Sequence, residues 1–559
     1  MKINPMKSFR FAAAAEVIAM LPSRIDAAGP QLHWCRSKPN GDRRGADLLR
    51  PVSHSKDRGR SKSAPLHPTA SSRQTAEQQT RKSRDGFLQA VQRLLLIGGL
   101  LTAAPLWAQP RTTPELHLGS GVKAGEITDR TAIVLVRLTS TPGQDAQGLI
   151  PGRVGQARLR YGTDEALKES ATTAWETARA SEDHAIHFKL AKLNPARRHF
   201  YRVEFRADEK STATLSDAFS FVTAPAPDQR AAVFFQLTTC QDIRGEKTYL
   251  PMAAQRPDFY VSAGDTVYYD GQGNARNVPH AWQAYQKMFG LSAMKDYHRH
   301  VGGYFMKDDH DFRFNDSDPH MKGKWVSAQK AGTGAKFTET KGNQKLDVAW
   351  MTAEEGARVF TQVFPMGPKP YRTVRWGKGV QVWMTESREY RSSNTMDDGP
   401  DKTIWGKEQK AWLLETLLAS DADHKIIISP NPIVGPDRLM KGDNHANLNG
   451  FWHEGQAFLD WLKEKKLNNV VLMCGDRHWQ YHSVDLRKGR TTHEFSCGPT
   501  SDEHIQDVPP LSAYPGVERP YSASRGGFMS IRYRPDNRAL SFEFFSMAGL
   551  PLYQKVFTP

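Results

Sequence analysis

From residue 231 to residue 482 the chain repeats one pattern, a short apolar run that stops at a cluster of polar and charged residues. The runs are AAVFFQLTTCQD (231–242), PDFYVSAGDTVYYD (257–270), YFMKDDHDFRFND (304–316), GVQVWMTESREYR (379–391), HKIIISPNPIVG (424–435) and NNVVLMCGDRHWQYH (468–482). Short runs rich in Val, Ile and Phe and bounded by turn residues predict buried strands. The stretches EQKAWLLETLLAS (408–420) and GQAFLDWLKEKK (455–466) between them predict helices. Strand, polar tip and helix in alternation is the grammar of an α/β sheet. Sites in such sheets form beyond the carboxyl ends of the strands, so the polar tips are expected to meet in one place.

Their residue types indicate what they do there. Cys240, Asp265, Tyr268, Asp308, Asp309, Asn315, Asp476 and His478 all fall just past predicted strand ends. A thiol, a phenol, an imidazole and several carboxylates make a mixed set of metal ligands. The stretch KDDHDFRFND (307–316) packs four Asp, one His and one Asn together. Carboxylates that close repel unless a cation neutralises them. Asp309 and Asp311 have a second outlet, which is to accept backbone N–H bonds and hold the loop. Singly, Cys240 reads as a buried thiol, Tyr268 as a packed aromatic and His478 as a hydrogen-bonded histidine. Two Gly-Asp steps (264–265 and 475–476), a strand-end cysteine and an acid-rich loop are specific only in combination.

Residues 115–225 follow a different pattern. TAIVLVRL (131–138), ARLRYG (157–162), HAIHFKLAKL (184–193), HFYRVEFRA (199–207) and AFSFVTA (218–224) are short β-type runs with no helical period between them. They predict a β-sandwich, and LNPARRHFYRVEF (193–205) resembles a step of fibronectin type III-like domains. No acid, His or Cys cluster marks a site there. APAPDQ (224–229) reads as a linker. The expectation is a sandwich over 109–226 and an α/β domain over 227–559.

The net charge of +16 first suggests a polyanion binder, but it is unevenly spread. Residues 1–108 hold 18 Lys and Arg against 7 Asp and Glu, so +11 of the +16 lies there and +5 remains for residues 109–559. Nucleic-acid binding is therefore not expected of the mature chain. Residues 1–82 are basic and of low complexity, which predicts a disordered leader or a start codon placed too far upstream. SRDGFLQAVQRLLLIGGLLTAAPLWAQP (83–110) joins a basic stretch, an apolar run and a small residue at Ala108. That is the grammar of an export signal over 83–108, too short to span a bilayer comfortably. It predicts export by the Sec or twin-arginine machinery to a periplasmic or secreted location, although Asp85 stands where a second arginine would complete a twin-arginine motif. Cys240, Cys474 and Cys497 follow the leader, an odd number, and a Cys474–Cys497 pair stays open.

The order of TTCQD, GDTVYYD, DDHDFRFND, ESREYR, EQKAWLLETL and CGDRHW resembles the PhoD-type alkaline phosphatases of the calcineurin-like metallophosphoesterases, over roughly residues 115–559. The resemblance implies a four-layer α/β/β/α metallophosphoesterase domain behind an all-β fibronectin III/Ig-like sandwich. It implies hydrolysis of phosphate monoesters, and in many members diesters, by metal-activated water with iron(III) and calcium. Carried over by motif, Cys240, Asp265, Tyr268 and His478 hold the iron. Asp265 bridges to calcium, and Asp309, Asn315 and Asp476 serve the metal site. Arg388 and His310 are the implied catalytic side chains, Arg388 near the substrate phosphate.

The chain departs from that pattern in two places. Lys307 stands before DDH where an aromatic is usual, and Thr385-Glu386 stands where Leu-Asp is common. Residues 328–345 and 394–402 read as loops placed to cover the site. Two competing functions remain: a phosphodiesterase acting on nucleotides, phospholipids or teichoic-acid-like polymers, and a metal-bound adhesion module without catalysis. A seryl nucleophile is disfavoured, because no GxSxG elbow occurs.

Overall fold

The computed structural model describes residues 115–558, apart from 272–274, 331 and 333. The leader over 1–82 and the signal segment over 83–108 lie outside the described residues. No helix among the described residues is long and apolar enough to cross a membrane.

The apolar runs of the α/β region form two sets of parallel strands. Val233–Thr238, Phe259–Ala263 and Gly302–Met306 pair in parallel within a nine-stranded sheet. Val380–Met384, His424–Ser429, Val470–Cys474 and Thr492–Cys497 do so within a seven-stranded sheet. Most of these strands are buried at every position, as parallel strands covered on both faces must be. The two sheets share one apolar core, in which Phe235, Val261 and Met306 meet Val382, Ile428 and Met473. Phe259 stacks on Trp376 across the sheets at 4.2 Å between ring centroids, worth roughly 0.5–1.5 kcal/mol beyond the area buried. Helices Val278–Phe289, Ser292–His300 and Ala353–Val363 cover the outer face of the nine-stranded sheet. Helices Gly406–Ala419 and Trp452–Glu464 cover that of the seven-stranded one. The α/β/β/α layering follows.

Local chemistry sets the helix ends. Thr352 and Glu355 form a reciprocal capping box that starts Ala353–Val363. Asn277 caps Val278–Phe289, with Pro279 in its first turn.

The sandwich is real, and one of its faces is shared. Gly155–Gly162, Arg198–Arg206 and four shorter strands form a six-stranded sheet. It packs on Val122–Gly125, Ala132–Arg137 and Ala185–Leu190, which extend the nine-stranded sheet. The junction is a parallel pairing of Gly125 with Gly303. A Cβ on Gly125 would stand 2.6 Å from the Gly303 carbonyl, so only glycine permits the approach.

Residues 328–345 are not the plain loop expected. Lys324–Ser327, Gln344–Asp347 and Phe337–Lys341 form a three-stranded antiparallel sheet. Lys341 pairs with Gln344 across a two-residue Gly342-Asn343 turn, with φ 60° at Gly342. That is a hairpin signal, hidden by lysine-rich, exposed strands. Cys240, Cys474 and Cys497 are all buried and free, so the open Cys474–Cys497 pair is not formed.

Candidate metal centre

The strands deliver their polar side chains with one offset. Cys240, Asp265, Asp308 and Asp476 are each the second residue beyond a strand, after Thr238, Ala263, Met306 and Cys474. Cys240, Asp265 and Asp476 adopt left-handed backbone, with φ of 46°, 55° and 64°. For a residue with a Cβ this costs about 1–2 kcal/mol, and such strain persists only where surrounding structure fixes it. Here adjacent corners lock one another. Cys240 N–H donates to the Gly264 carbonyl at 3.3 Å, Gln241 N–H to the Asp265 carbonyl at 2.7 Å, and Gly475 N–H to the Ser429 carbonyl at 3.0 Å. Gly264, at φ 104°, is required, because a Cβ there would stand 2.8 Å from the Asp308 Cβ.

One donor group forms around Asp265. The Cys240 Sγ lies 3.7 Å and the Tyr268 hydroxyl 3.4 Å from its Oδ2. Its Oδ1 is buried without a hydrogen-bond partner. Asp265, Asp309 and His310 offer ligand atoms within 4.8 Å of one another. Burial pushes the Asp265 carboxyl, the Cys240 thiol and the Tyr268 phenol well above their ordinary ranges, and neighbouring anions push them further. A cation reverses that preference. His478 donates Nδ1–H to the His504 carbonyl at 2.7 Å, since a carbonyl can only accept, and this leaves Nε2 as a free lone pair. Burial, with the charges of His504, His310 and Lys441, takes His478 down to about 3, so its imidazole is neutral as a ligand must be.

A second, all-oxygen group adjoins the first. Asp309, Asp316 and Asp443 also bring ligand atoms within 4.8 Å of one another. The Lys441 ammonium bonds Asp316 and lies 3.6 Å from Asp443 and 4.0 Å from Asp476. Arg477 donates to Asp476 at 2.5 Å and Asp437 at 3.2 Å. The first group, with thiol, phenol, imidazole and carboxylate, fits a transition metal. The second fits a hard cation such as calcium.

The structure thus brings together Cys240, Asp265, Tyr268, Asp309 and His310, with Asp476 and His478 alongside. Two further implied residues have other surroundings. Asn315 is exposed, and its backbone N–H donates to Asp270 at 2.9 Å. Arg388 is wholly buried, donating to Asp308 at 2.6 Å, Asp443 at 3.2 Å and the Ser317 carbonyl at 3.2 Å. It clamps carboxylates beside the second ligand group. Asp311 takes the loop-holding role, accepting from the backbone of Thr266 and Val267, each at 3.1 Å. His310 Nδ1 is held by Asp270 at 2.5 Å, and its ring lies 4.3 Å from that of Tyr268.

Sequence reasoning missed Asp270, Asp316, Asn431, Lys441 and Asp443. Asn431 had a usable signal, being the second residue past His424–Ser429, and it donates to both Asp308 oxygens at 3.3 Å. Asp443 had none, since it sits deep in the turn-rich connection after that strand.

A family model described as PhoD-like phosphatase matches residues 235–525, and one described as its N-terminal domain matches residues 103–225. An alkaline phosphatase D of Bacillus subtilis (strain 168) is 24% identical over 414 residues, covering 66% of each chain. A solved structure of PhoD superposes with a TM-score of 0.61 at 18% identity, covering 79% of this chain and 89% of that one. A purple acid phosphatase from yellow lupin (Lupinus luteus) seeds superposes with a TM-score of 0.52 at 12% identity, covering 78% and 74%. These two share the fold described above.

Proposed function

Because the chain belongs to the PhoD-like phosphatase family, we propose that it is an exported, metal-dependent phosphoric ester hydrolase acting as an alkaline phosphatase on phosphate monoesters. The observation that carries this is the Asp265 corner, where thiol, phenol and carboxylate lie within 3.7 Å and one carboxylate oxygen is left buried and unpartnered. Cys240, Asp265, Tyr268 and His478 would hold iron(III). Asp309, Asp316, Asp443 and Asp476 would hold calcium. Bound there, the metals supply Lewis acidity toward the phosphoryl group and toward the attacking water.

The chain's own groups do the rest. The His504 carbonyl fixes the His478 tautomer. Arg388, Lys441 and Arg477 offset the remaining carboxylate charge. His310, held at Nδ1 by Asp270 at 2.5 Å, is the candidate proton donor to the leaving alcohol. Export through the Sec or twin-arginine route, to a periplasmic or secreted location, belongs to the same proposal and rests on residues 83–108.

The test is turnover of a chromogenic phosphate monoester and its diester at alkaline pH, with chelator or with iron and calcium, beside Asp265→Ala. Calcium-dependent turnover that the variant lacks is expected, with the monoester preferred. A higher rate on the diester would assign the phosphodiesterase function instead. Folded, metal-loaded protein with no turnover of either would reject both.

A further inference from the structure

Next to the metal centre lies a cavity of about 250 Å³ whose walls are mostly apolar. Val267, Ala284 and Met288 line it, and all three are buried residues. Tyr268 and His504 also line it, and both adjoin the metal centre. The Tyr268 hydroxyl reaches Asp265, and the His504 carbonyl holds His478. The cavity therefore begins about one aromatic ring from the candidate ligands. A cavity of roughly 150 Å³ accommodates benzene, so this one has room for a ring.

Its cations differ in how they are paired. The Arg244 guanidinium is bonded to Asp242 at 2.7 Å and to Glu503 at 3.1 Å. Lys287, on helix Val278–Phe289, lines the cavity and forms no ion pair among the described residues. A mostly apolar wall that includes the half-buried Lys287 complements a ligand that is flat, apolar and singly anionic.

We propose that this cavity binds the alcohol portion of the ester, selecting phosphate esters whose alcohol carries an aromatic body and a second negative charge that meets Lys287. This rests on the phosphoesterase function proposed above. It goes further in naming a substrate class and the residues that choose it.

Binding of unreactive phosphonates to the metal-loaded protein tests it without leaving-group chemistry. Burying one ring is worth about 1.5–3 kcal/mol, so phenylphosphonate is expected to bind at least about tenfold tighter than methylphosphonate. 4-Carboxyphenylphosphonate should bind about threefold tighter again. Ala284→Phe, which fills the cavity, should abolish the aryl preference. Lys287→Ala, at a half-exposed position, should erase only the carboxylate increment. Equal affinity for phenyl- and methylphosphonate, binding of neither, or an aryl preference that survives in folded Ala284→Phe overturns the proposal. Aryl preference in a protein that turns over no ester would retain the cavity and reject the phosphatase function. Turnover without aryl preference would do the reverse.

Discussion

The ammonium of Lys307 lies 2.9 Å from the Glu386 carboxylate, and each side chain is only 2% exposed. Lys307 also bonds Glu389. Burial alone would lower the lysine, but the two glutamates hold it above its ordinary range. The two departures from the family pattern noted in the sequence are therefore one feature. A lysine where an aromatic is usual, and a glutamate two residues past Val380–Met384, form a buried ion pair beneath the Asp308 loop.

Breaking one partner of such a pair leaves a buried charge, which costs about 3–5 kcal/mol, while replacing both with apolar side chains is often neutral. Lys307→Met is expected to lower the unfolding free energy by that amount. Lys307→Met with Glu386→Leu should recover at least half, short of full recovery because Glu386 also accepts the Arg388 and Glu389 backbone N–H groups. Denaturant unfolding of the two single variants and the double variant measures the coupling. Additive losses would show the pair to be energetically idle.

Arg388 invites a similar experiment with a different readout. It is wholly enclosed and donates to Asp308 and Asp443. Arg388→Met should therefore destabilise the fold by about 3–5 kcal/mol through uncompensated carboxylates. Arg388→Lys should keep the charge but lose the planar fork. Thermal midpoints report the loss. A variant with unchanged stability and a raised KM would instead place the guanidinium on the substrate.

Most of the architecture could be read from the chain because parallel strands announce themselves as continuous apolar runs, and Asp265, Asp476 and Cys240 sit at a fixed offset from the runs' ends. The rest depends on long-range placement. Asp443 is brought to Arg388 by a connection with no period of its own. Asn315 falls within an acid-rich decapeptide, yet it is exposed, which residue type alone does not foretell. The sharing of one sheet by sandwich and α/β region rests on the Gly125–Gly303 pairing, which no local pattern encodes.

The unpartnered Oδ1 of Asp265 gives chelation a definite sign. A cation that binds only the folded chain stabilises it, by about 2.7 kcal/mol at a hundredfold excess over its Kd. Chelator should therefore lower the wild-type thermal midpoint. Asp265→Asn keeps the shape and removes the cost of burying that carboxyl among other carboxylates. It should respond less to chelator than wild type does and melt above chelated wild type, while retaining no iron on metal analysis. A chelator effect of equal size in both proteins would place the metal elsewhere.

The loop that carries Asp443 is anchored by Glu454, and this anchorage is pH-dependent. Burial would raise the Glu454 carboxyl, but hydrogen bonds from His445 at 2.9 Å, Thr403 at 2.5 Å and the Ile404 N–H at 2.6 Å, with the His445 charge, take it down to about 2 from an ordinary 4.5. The folded state thus releases its proton more readily than the unfolded state does. The stability this provides is fully present above about pH 4.5 and is lost as pH falls toward 2. At about 1.4 kcal/mol per pH unit it amounts to roughly 3 kcal/mol. Glu454→Gln should cost that much more at pH 7 than at pH 2.5, measured as unfolding free energy against wild type at each pH. A penalty that does not change with pH would mean that the ionised carboxylate is not what holds the Asp443 loop in place.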